Sequence, residues 1–141
     1  MSHRWIAAGI APLAALALTA GTAFAGGAIS KPKAPTAAQK SAILKAGGFK
    51  GPSKCYAVSL SSRKQTVAGV RFNAKASGCN KVAFDGAGLY FSNSAKTSWY
   101  LLDSGSGETA DHCDALKTLV GVAAWQDLIP FVSDMGCTNF D

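Results

Sequence analysis

The side chain best suited to acid–base chemistry in this 141-residue chain is His112, which stands between Asp111 and Asp114. A neighbouring carboxylate raises the pKa of an imidazole toward neutrality, which suits a general base. The only other histidine is His3, so the sequence does not support chemistry that needs two histidines, such as that of ribonucleases. Three closely spaced residues on one turn do not all converge on a metal ion. We therefore expect a surface histidine, with no catalytic residue, no metal site and no cofactor.

Two short fragments resemble parts of trypsin-like serine proteases. The segment Thr109 to Cys113 is similar to the one around the catalytic histidine of that family, and Asp103-Ser104-Gly105 is similar to part of its nucleophile loop. In this chain the serine precedes the histidine, whereas that family has the histidine first, and the chain is about half the length needed. A catalytic triad is defined by geometry and roles, so we do not expect protease activity.

The four cysteines are typical of two disulfides in an oxidising compartment, because their number is even. They are Cys55, Cys79, Cys113 and Cys137. Four cysteines allow three pairings, and the equal spacing of 24 residues favours Cys55–Cys79 together with Cys113–Cys137. Each such loop would stabilise the fold by about 3 kcal/mol in the chain-entropy account. No two cysteines have the close spacing of a zinc knuckle, so we expect no structural zinc.

The beginning of the chain has the features of a secretory signal. An apolar run from Ile6 to Leu18 is followed by Ala23-Phe24-Ala25, the small-x-small pattern that signal peptidases cut. The expected division is a signal peptide at residues 1–25, a flexible leader at 26–35 and a single domain at 36–141. No later stretch has the ~20 apolar residues of a transmembrane segment. We expect a secreted protein, released or held to the cell envelope by non-covalent contacts.

Charge is distributed unevenly along this basic chain, whose formal net charge is +6. Residues 26–84 contain eleven Lys or Arg and no acid, whereas residues 85–141 contain all eight Asp and Glu and two lysines. A basic surface attracts anionic partners. Single-stranded nucleic acid also needs aromatic stacking platforms, and residues 31–54 offer only Phe49, so we expect no specific nucleic acid partner. The candidate binding residues are four lysines: Lys40, Lys45, Lys50 and Lys54.

The first part of the predicted domain contains one helix and a sheet. Thr36 and Gln39 form a capping-box pattern that opens a short helix to about Ala46, before Gly47-Gly48. Alternation of large apolar residues with small or polar ones then predicts strands. We expect five of them: Cys55–Leu60, Thr66–Phe72, Lys81–Phe84, Ala87–Phe91 and Thr97–Leu102. Asp85-Gly86 predicts a hairpin between the third and fourth, and the short connections favour an antiparallel meander.

The last part of the chain changes to a helical pattern. Apolar residues from Leu116 to Ala124 recur at helical spacing. A final helix has Asp127 as its N-cap, Pro130 in its first turn and Gly136 at its end. These elements predict an α+β fold: an antiparallel sheet of about five strands with an N-terminal helix and C-terminal helices, stapled by two disulfides.

The alanine-rich helix is followed by a strand that contains Trp99. The chain then closes with a segment that contains Pro130, a helix and Cys137. This arrangement resembles that of small secreted two-disulfide proteins of actinobacteria that have no assigned activity. The resemblance implies the fold and the export of the chain, and it implies no activity. The reactive-site loop of secreted subtilisin inhibitors, flanked by closely spaced cysteines, has no counterpart in this sequence.

The sequence is compatible with three functions. The leading hypothesis is a non-enzymatic extracellular module that binds an anionic envelope polymer or a secreted protein through its basic N-terminal half. The alternative is that folding brings the basic and acidic halves together into one salt-bridged, solvated surface. The second is a small proteinaceous inhibitor of a secreted hydrolase, with Ser61 to Gln65 or Ser104 to Thr109 as the exposed loop. The third is a small hydrolase that uses His112.

Overall fold

The computed structural model describes residues 31–79 and 86–138. Within them, an antiparallel sheet has four strands in the order β1-β2-β3-β4. The strands are β1 (Tyr56–Leu60), β2 (Val67–Phe72), β3 (Ala87–Ser92) and β4 (Trp99–Gly105). Each strand pairs with the next along the chain, which confirms the antiparallel sheet and the α+β class. The predicted strand Lys81–Phe84 and the hairpin position Asp85 lie outside the described residues.

Helices cover both faces of the sheet. They are α1 (Ala37–Ala46), α2 (Ala110–Val120), α3 (Val122–Asp127) and α4 (Ile129–Asp134), with a 3-10 turn at Ser53–Cys55. Successive residues of a strand point to opposite faces: Val67 of β2 packs in an apolar cluster with α2, α3 and α4, and Ala68 packs in another with α1. No helix within residues 31–79 and 86–138 combines the length and apolar character needed to cross a membrane.

Local sequence determines where α1 begins and ends. The Thr36 hydroxyl accepts a hydrogen bond from the Gln39 N–H, and the Gln39 side chain accepts one from the Thr36 N–H. Two otherwise free donors of the first turn are satisfied in this way. Gly48 follows the helix with a φ of 64°, which glycine adopts without strain. Ile43 and Leu44 are the buried residues of α1, and they fix it on the sheet.

The chain turns sharply between α2 and α3 at Gly121, where φ is 91°. The sequence predicts one helical stripe from Leu116 to Ala124, and this prediction is wrong because one helix ends at Val120 and another begins at Val122. A side chain at this φ would strain the backbone, so the glycine permits the break. The break still leaves Val120 and Ala124 in the same apolar cluster.

The sequence predicts Asp127 as the N-cap of the last helix, and this prediction is also wrong. Asp127 is the last residue of α3 and is buried. The residue before α4 is Leu128, and Pro130 lies in the first turn, where its missing N–H leaves no hydrogen bond unmade. The Asp127 carboxylate accepts hydrogen bonds from the Ser61 hydroxyl and from the backbone and side chain of Arg63. It therefore anchors the β1–β2 loop rather than a helix terminus.

Two disulfides cross-link the described chain, as the sequence predicts. One joins Cys55, at the start of β1, to Cys79. The other joins Cys113 in α2 to Cys137 after α4. All four cysteines are buried, and each is paired with its nearest neighbour in sequence. One disulfide is thus buried in the apolar cluster on the α1 side, and the other in the cluster with α2, α3 and α4.

The end of the predicted flexible leader lies against the sheet. Lys33 and Leu60 of β1 exchange two backbone hydrogen bonds of 2.8 Å. The Lys33 ammonium also donates to the Gln65 side chain at 3.2 Å. Residues 31–35 therefore include an ordered contact that covers part of the β1 edge.

Candidate functional site

An open cleft of about 500 Å³ lies on the α1 side of the sheet. One wall is α1, which contributes Lys40, Ser41 and Lys45. The other wall is the segment from Phe49 to Tyr56, which connects α1 to β1. Both walls come from consecutive parts of the chain, and the Cys55 disulfide holds the far end of the second wall in place.

Two aromatic residues line the cleft together with Leu44. The ring centroid of the half-buried Phe49 lies 4.7 Å from that of Tyr56, and the two planes are inclined at 51°. The ring of Tyr90, in β3, lies 6.1 Å from Phe49. Tilted contacts at these distances are favourable for aromatic side chains. The cleft therefore combines the half-buried Phe49 ring, backed by the buried Tyr56 ring, with two lysines.

The backbone around Gly47 allows these rings to meet. The Phe49 N–H donates to the Leu44 carbonyl at 3.1 Å, which turns the chain back at the end of α1. A Cβ at Gly47 would lie 2.2 Å from the Tyr90 hydroxyl and 2.3 Å from the Phe49 ring. Any larger residue would push one of the rings away, so this glycine shapes the cleft.

The charge asymmetry of the sequence becomes a spatial asymmetry in the fold. The acidic residues of the described ranges lie in β4, the loop after it and the later helices: Asp103, Glu108, Asp111, Asp114, Asp127 and Asp134. The later helices pack on the face of the sheet opposite α1, and α1 itself contains no acid. None of the four predicted binding lysines has an ion-pair partner among residues 31–79 and 86–138. The α1 side is therefore basic and uncompensated.

The structure brings two of the four predicted binding lysines into the cleft. Lys40 and Lys45 line it, whereas the exposed Lys50 and Lys54 lie in the second wall segment without lining the cleft. The Lys50 carbonyl accepts a hydrogen bond of 2.5 Å from the Tyr56 hydroxyl, which anchors this segment. Sequence reasoning found the lysines from charge alone and missed Tyr56, because an aromatic residue on an alternating strand indicates core.

Three other basic residues of the first half have structural partners. Arg63 pairs with Asp127, Lys64 donates to the Val120 carbonyl, and Arg71 pairs with Asp134. Each of these contacts joins the sheet or its loops to the α2–α4 layer. These three basic residues thus hold parts of the fold together, whereas the four predicted binding lysines form no ion pair among the described residues.

His112 lies in the first turn of α2, and its imidazole meets two carboxylates. Its Nε2 contacts the Asp103 carboxylate of β4 directly, and the Glu108 carboxylate lies 3.4 Å away. These partners are not Asp111 and Asp114, the flanking acids that the sequence places beside His112. The i, i+4 spacing of Glu108 and His112 is a sequence signal that could have revealed one of them. Asp103 carries no such signal, since it reaches His112 only through the fold.

Contact with Asp103 raises the pKa of His112 above its ordinary value. The side-chain hydrogen bond to Asp103 is the largest cause, loss of solvation opposes it, and the charges of Asp103 and Glu108 add to the increase. Asp103 and Glu108, rather than the flanking acids, therefore raise the pKa of this imidazole.

The β1–β2 loop, Ser61 to Gln65, is anchored to α3 by side-chain contacts with Asp127. The Arg63 guanidinium donates to the Asp127 carboxylate at 2.7 and 2.9 Å, and Ser61 is buried. Arg63 is the one exposed residue of the five, and its side chain is already held by the protein. This geometry favours a structural role for the loop.

Anion binding is the chemistry that the cleft supports best. Ammonium groups pair with carboxylate or phosphate oxygens, serine hydroxyls donate and accept hydrogen bonds, and aromatic rings cover apolar surface.

Comparison with known proteins provides no relative from which a function could be transferred: no protein-family model, no curated protein and no solved structure matches this chain.

Proposed function

We propose that this protein is a non-enzymatic binding module of the cell exterior, and that its cleft holds a segment of an anionic envelope polymer. The observation that carries the proposal is the position of Lys40 and Lys45 beside the ring pair of Phe49 and Tyr56. The two disulfides support an oxidising compartment outside the cytosol.

Charge supplies the attraction in this proposal. A lysine close to an anionic surface contributes about 1 kcal/mol to binding. Lys40 and Lys45 line the cleft, and Lys50 and Lys54 extend the positive potential along its border. Because surface charges are screened beyond about 10 Å at 0.1 M salt, we expect binding that falls steeply as salt is added.

The aromatic wall favours a sugar polymer over a simple polyanion. The apolar face of a sugar ring can pack on the Phe49 ring, while acidic substituents reach the lysines. Ser41 and Ser53 place two hydroxyls in the walls, where they can pair with sugar hydroxyls. The ligand class proposed is therefore a glycan chain that carries carboxylate or phosphate groups.

Co-sedimentation of the oxidised protein with washed cell envelopes, across a salt series, tests the proposal. The cleft variant is Lys40→Gln with Lys45→Gln. The matched control is Lys75→Gln with Lys117→Gln, which removes the same charge outside the cleft lining. Loss of about 2 kcal/mol from two lysines corresponds to roughly 30-fold weaker binding of the cleft variant.

The control pair separates a specific cleft from general basicity. Steep salt dependence in the parent protein, with loss in the cleft variant and retention in the control, is the expected result. Equal weakening of binding in both variants would show that binding depends on net charge alone and not on the cleft. Retention that does not respond to salt would overturn the electrostatic proposal, and thermal unfolding of each variant verifies that it is folded.

A further inference from the structure

Three potential metal ligands converge where β4 and α2 meet. They are Asp103 of β4, Glu108 in the following loop and His112 in the first turn of α2. One ligand atom from each side chain lies within 4.8 Å of the other two. The exposed fractions of the carboxylate side chains are 26% and 21%, against 45% for the imidazole, so the cluster is partly enclosed and still reachable from solvent.

We propose that Asp103, Glu108 and His112 bind one divalent transition metal ion, with zinc as the best match. Imidazole nitrogen and carboxylate oxygen are both ordinary zinc ligands. Two ligands about 2.1 Å from a tetrahedral ion lie about 3.4 Å apart, and Glu108 and His112 are separated by 3.4 Å. Asp103 contacts His112 Nε2 directly, so these two side chains must move apart for both to bind the ion. Two carboxylates would balance the charge of the ion. Three protein ligands leave a coordination position for water or for a group of a partner.

Asp103 and Glu108 are each held by a contact that does not involve the other ligands, through the carboxylate of Asp103 and through the backbone of Glu108. One oxygen of Asp103 accepts the Ser104 N–H at 2.9 Å, which leaves the second oxygen for His112. The Glu108 N–H donates to the Met135 carbonyl at 3.0 Å, which ties the loop to the end of α4. A site whose ligands are fixed in advance loses less entropy when the ion binds.

The backbone that carries the imidazole is also held in place. The Thr109 hydroxyl accepts the backbone N–H of His112 at 3.4 Å as the cap of α2, and the adjacent Cys113 forms a disulfide. Gly105 leaves the space that the Glu108 carboxylate occupies, since a Cβ there would lie 2.5 Å from its Oε1. A side chain at Gly105 would therefore push one ligand out of the cluster.

This site is independent of the proposed cleft. It belongs to the side of the sheet covered by α2, α3 and α4, whereas the cleft belongs to the α1 side. The sequence predicts no metal site because Asp111, His112 and Asp114 do not converge on one turn. The proposed ligands differ from that set, since the strand and the loop supply both carboxylates.

Isothermal titration of the untagged, chelator-treated protein with zinc chloride tests the proposal. We expect one ion per chain, tighter binding of zinc than of calcium, and at least tenfold weaker zinc binding after His112→Ala or Glu108→Gln. Asp111→Asn is the matched control, because it removes an exposed carboxylate next to His112 that is not part of the cluster. It should bind zinc as the parent does.

Thermal unfolding provides a second readout. An ion that binds only the folded chain raises the unfolding temperature, so zinc should stabilise the parent and the Asp111→Asn control and have little effect on His112→Ala. Absence of saturable binding by the parent would overturn the proposal. Unchanged zinc binding by His112→Ala, or calcium binding tighter than zinc, would overturn it as well.

Discussion

The Arg63 guanidinium and the Asp127 carboxylate form an ion pair across 64 residues of chain, with 2.7 Å between nitrogen and oxygen. The Asp127 side chain has no exposed surface, whereas 36% of the Arg63 side chain is exposed. The Ser61 hydroxyl donates to the same carboxylate at 2.7 Å. This contact fixes the β1–β2 loop on α3 and joins the basic and acidic halves of the sequence.

Replacing Asp127 by asparagine is expected to lower the free energy of unfolding by about 3 kcal/mol. The amide cannot pair with the Arg63 charge, and its own donor faces groups that also donate. Asp111→Asn removes an exposed carboxylate and should cost less than about 0.5 kcal/mol. Urea unfolding measures both variants. Equal unfolding midpoints would show that the buried contact contributes nothing.

Close packing between β2 and α4 depends on Gly69. A Cβ at this position would lie 2.4 Å from Cγ of Phe131. We expect Gly69→Ala to destabilise the fold by about 1–3 kcal/mol, because the helix must move away from the sheet. Gly107→Ala adds a Cβ with no atom within 4 Å and should leave the unfolding temperature nearly unchanged. Similar unfolding temperatures for the two variants would contradict this packing.

The disulfide between Cys113 and Cys137 encloses most of the α2–α4 layer in a loop of 24 residues. Replacing both cysteines by alanine should lower the free energy of unfolding by about 3 kcal/mol, mainly through a less constrained unfolded chain. Peptide mapping without reduction should recover this pair and the Cys55–Cys79 pair. A peptide that links Cys79 to Cys113 would be incompatible with the fold.

The pKa of His112 in the metal-free protein should lie above the ordinary histidine value of about 6.5. Its contribution to stability is then fully present below the unfolded-state pKa and is lost as pH rises through the folded-state pKa. NMR titration of the imidazole measures the value directly. Asp103→Asn removes the largest cause and should lower the pKa, whereas Asp111→Asn should change it much less. An identical titration in all three proteins would exclude the Asp103 contact.

The sheet and the disulfides were predictable because their signals are local or few. Alternation along Tyr56–Leu60 and Val67–Phe72 gives β1 and β2, and the short connections give their antiparallel order. With four cysteines, equal spacing is enough to favour one of three pairings. The two lysines of the cleft were also identifiable, because charge without nearby acids needs no knowledge of the fold.

The remaining features depend on contacts between distant segments. An aspartate shortly before Ile-Pro matches an N-cap, but Asp127 instead meets Arg63 from a loop that sequence patterns do not place beside it. Helical spacing continues across Gly121, so only its positive φ reveals the break. Asp103 meets His112 because a bulge and a loop bring the end of β4 to α2, which no short-range pattern encodes.

Under the proposed function, the α1 side of the sheet binds an acidic glycan. NMR titration of the ¹⁵N-labelled, oxidised protein with trigalacturonate at low salt tests it most directly. The predicted result is a set of salt-sensitive amide shift changes concentrated at Lys40, Lys45, Phe49 and Tyr56, with little change in α2, α3 and α4. Shift changes centred on those later helices, or none at low salt, would contradict the claim.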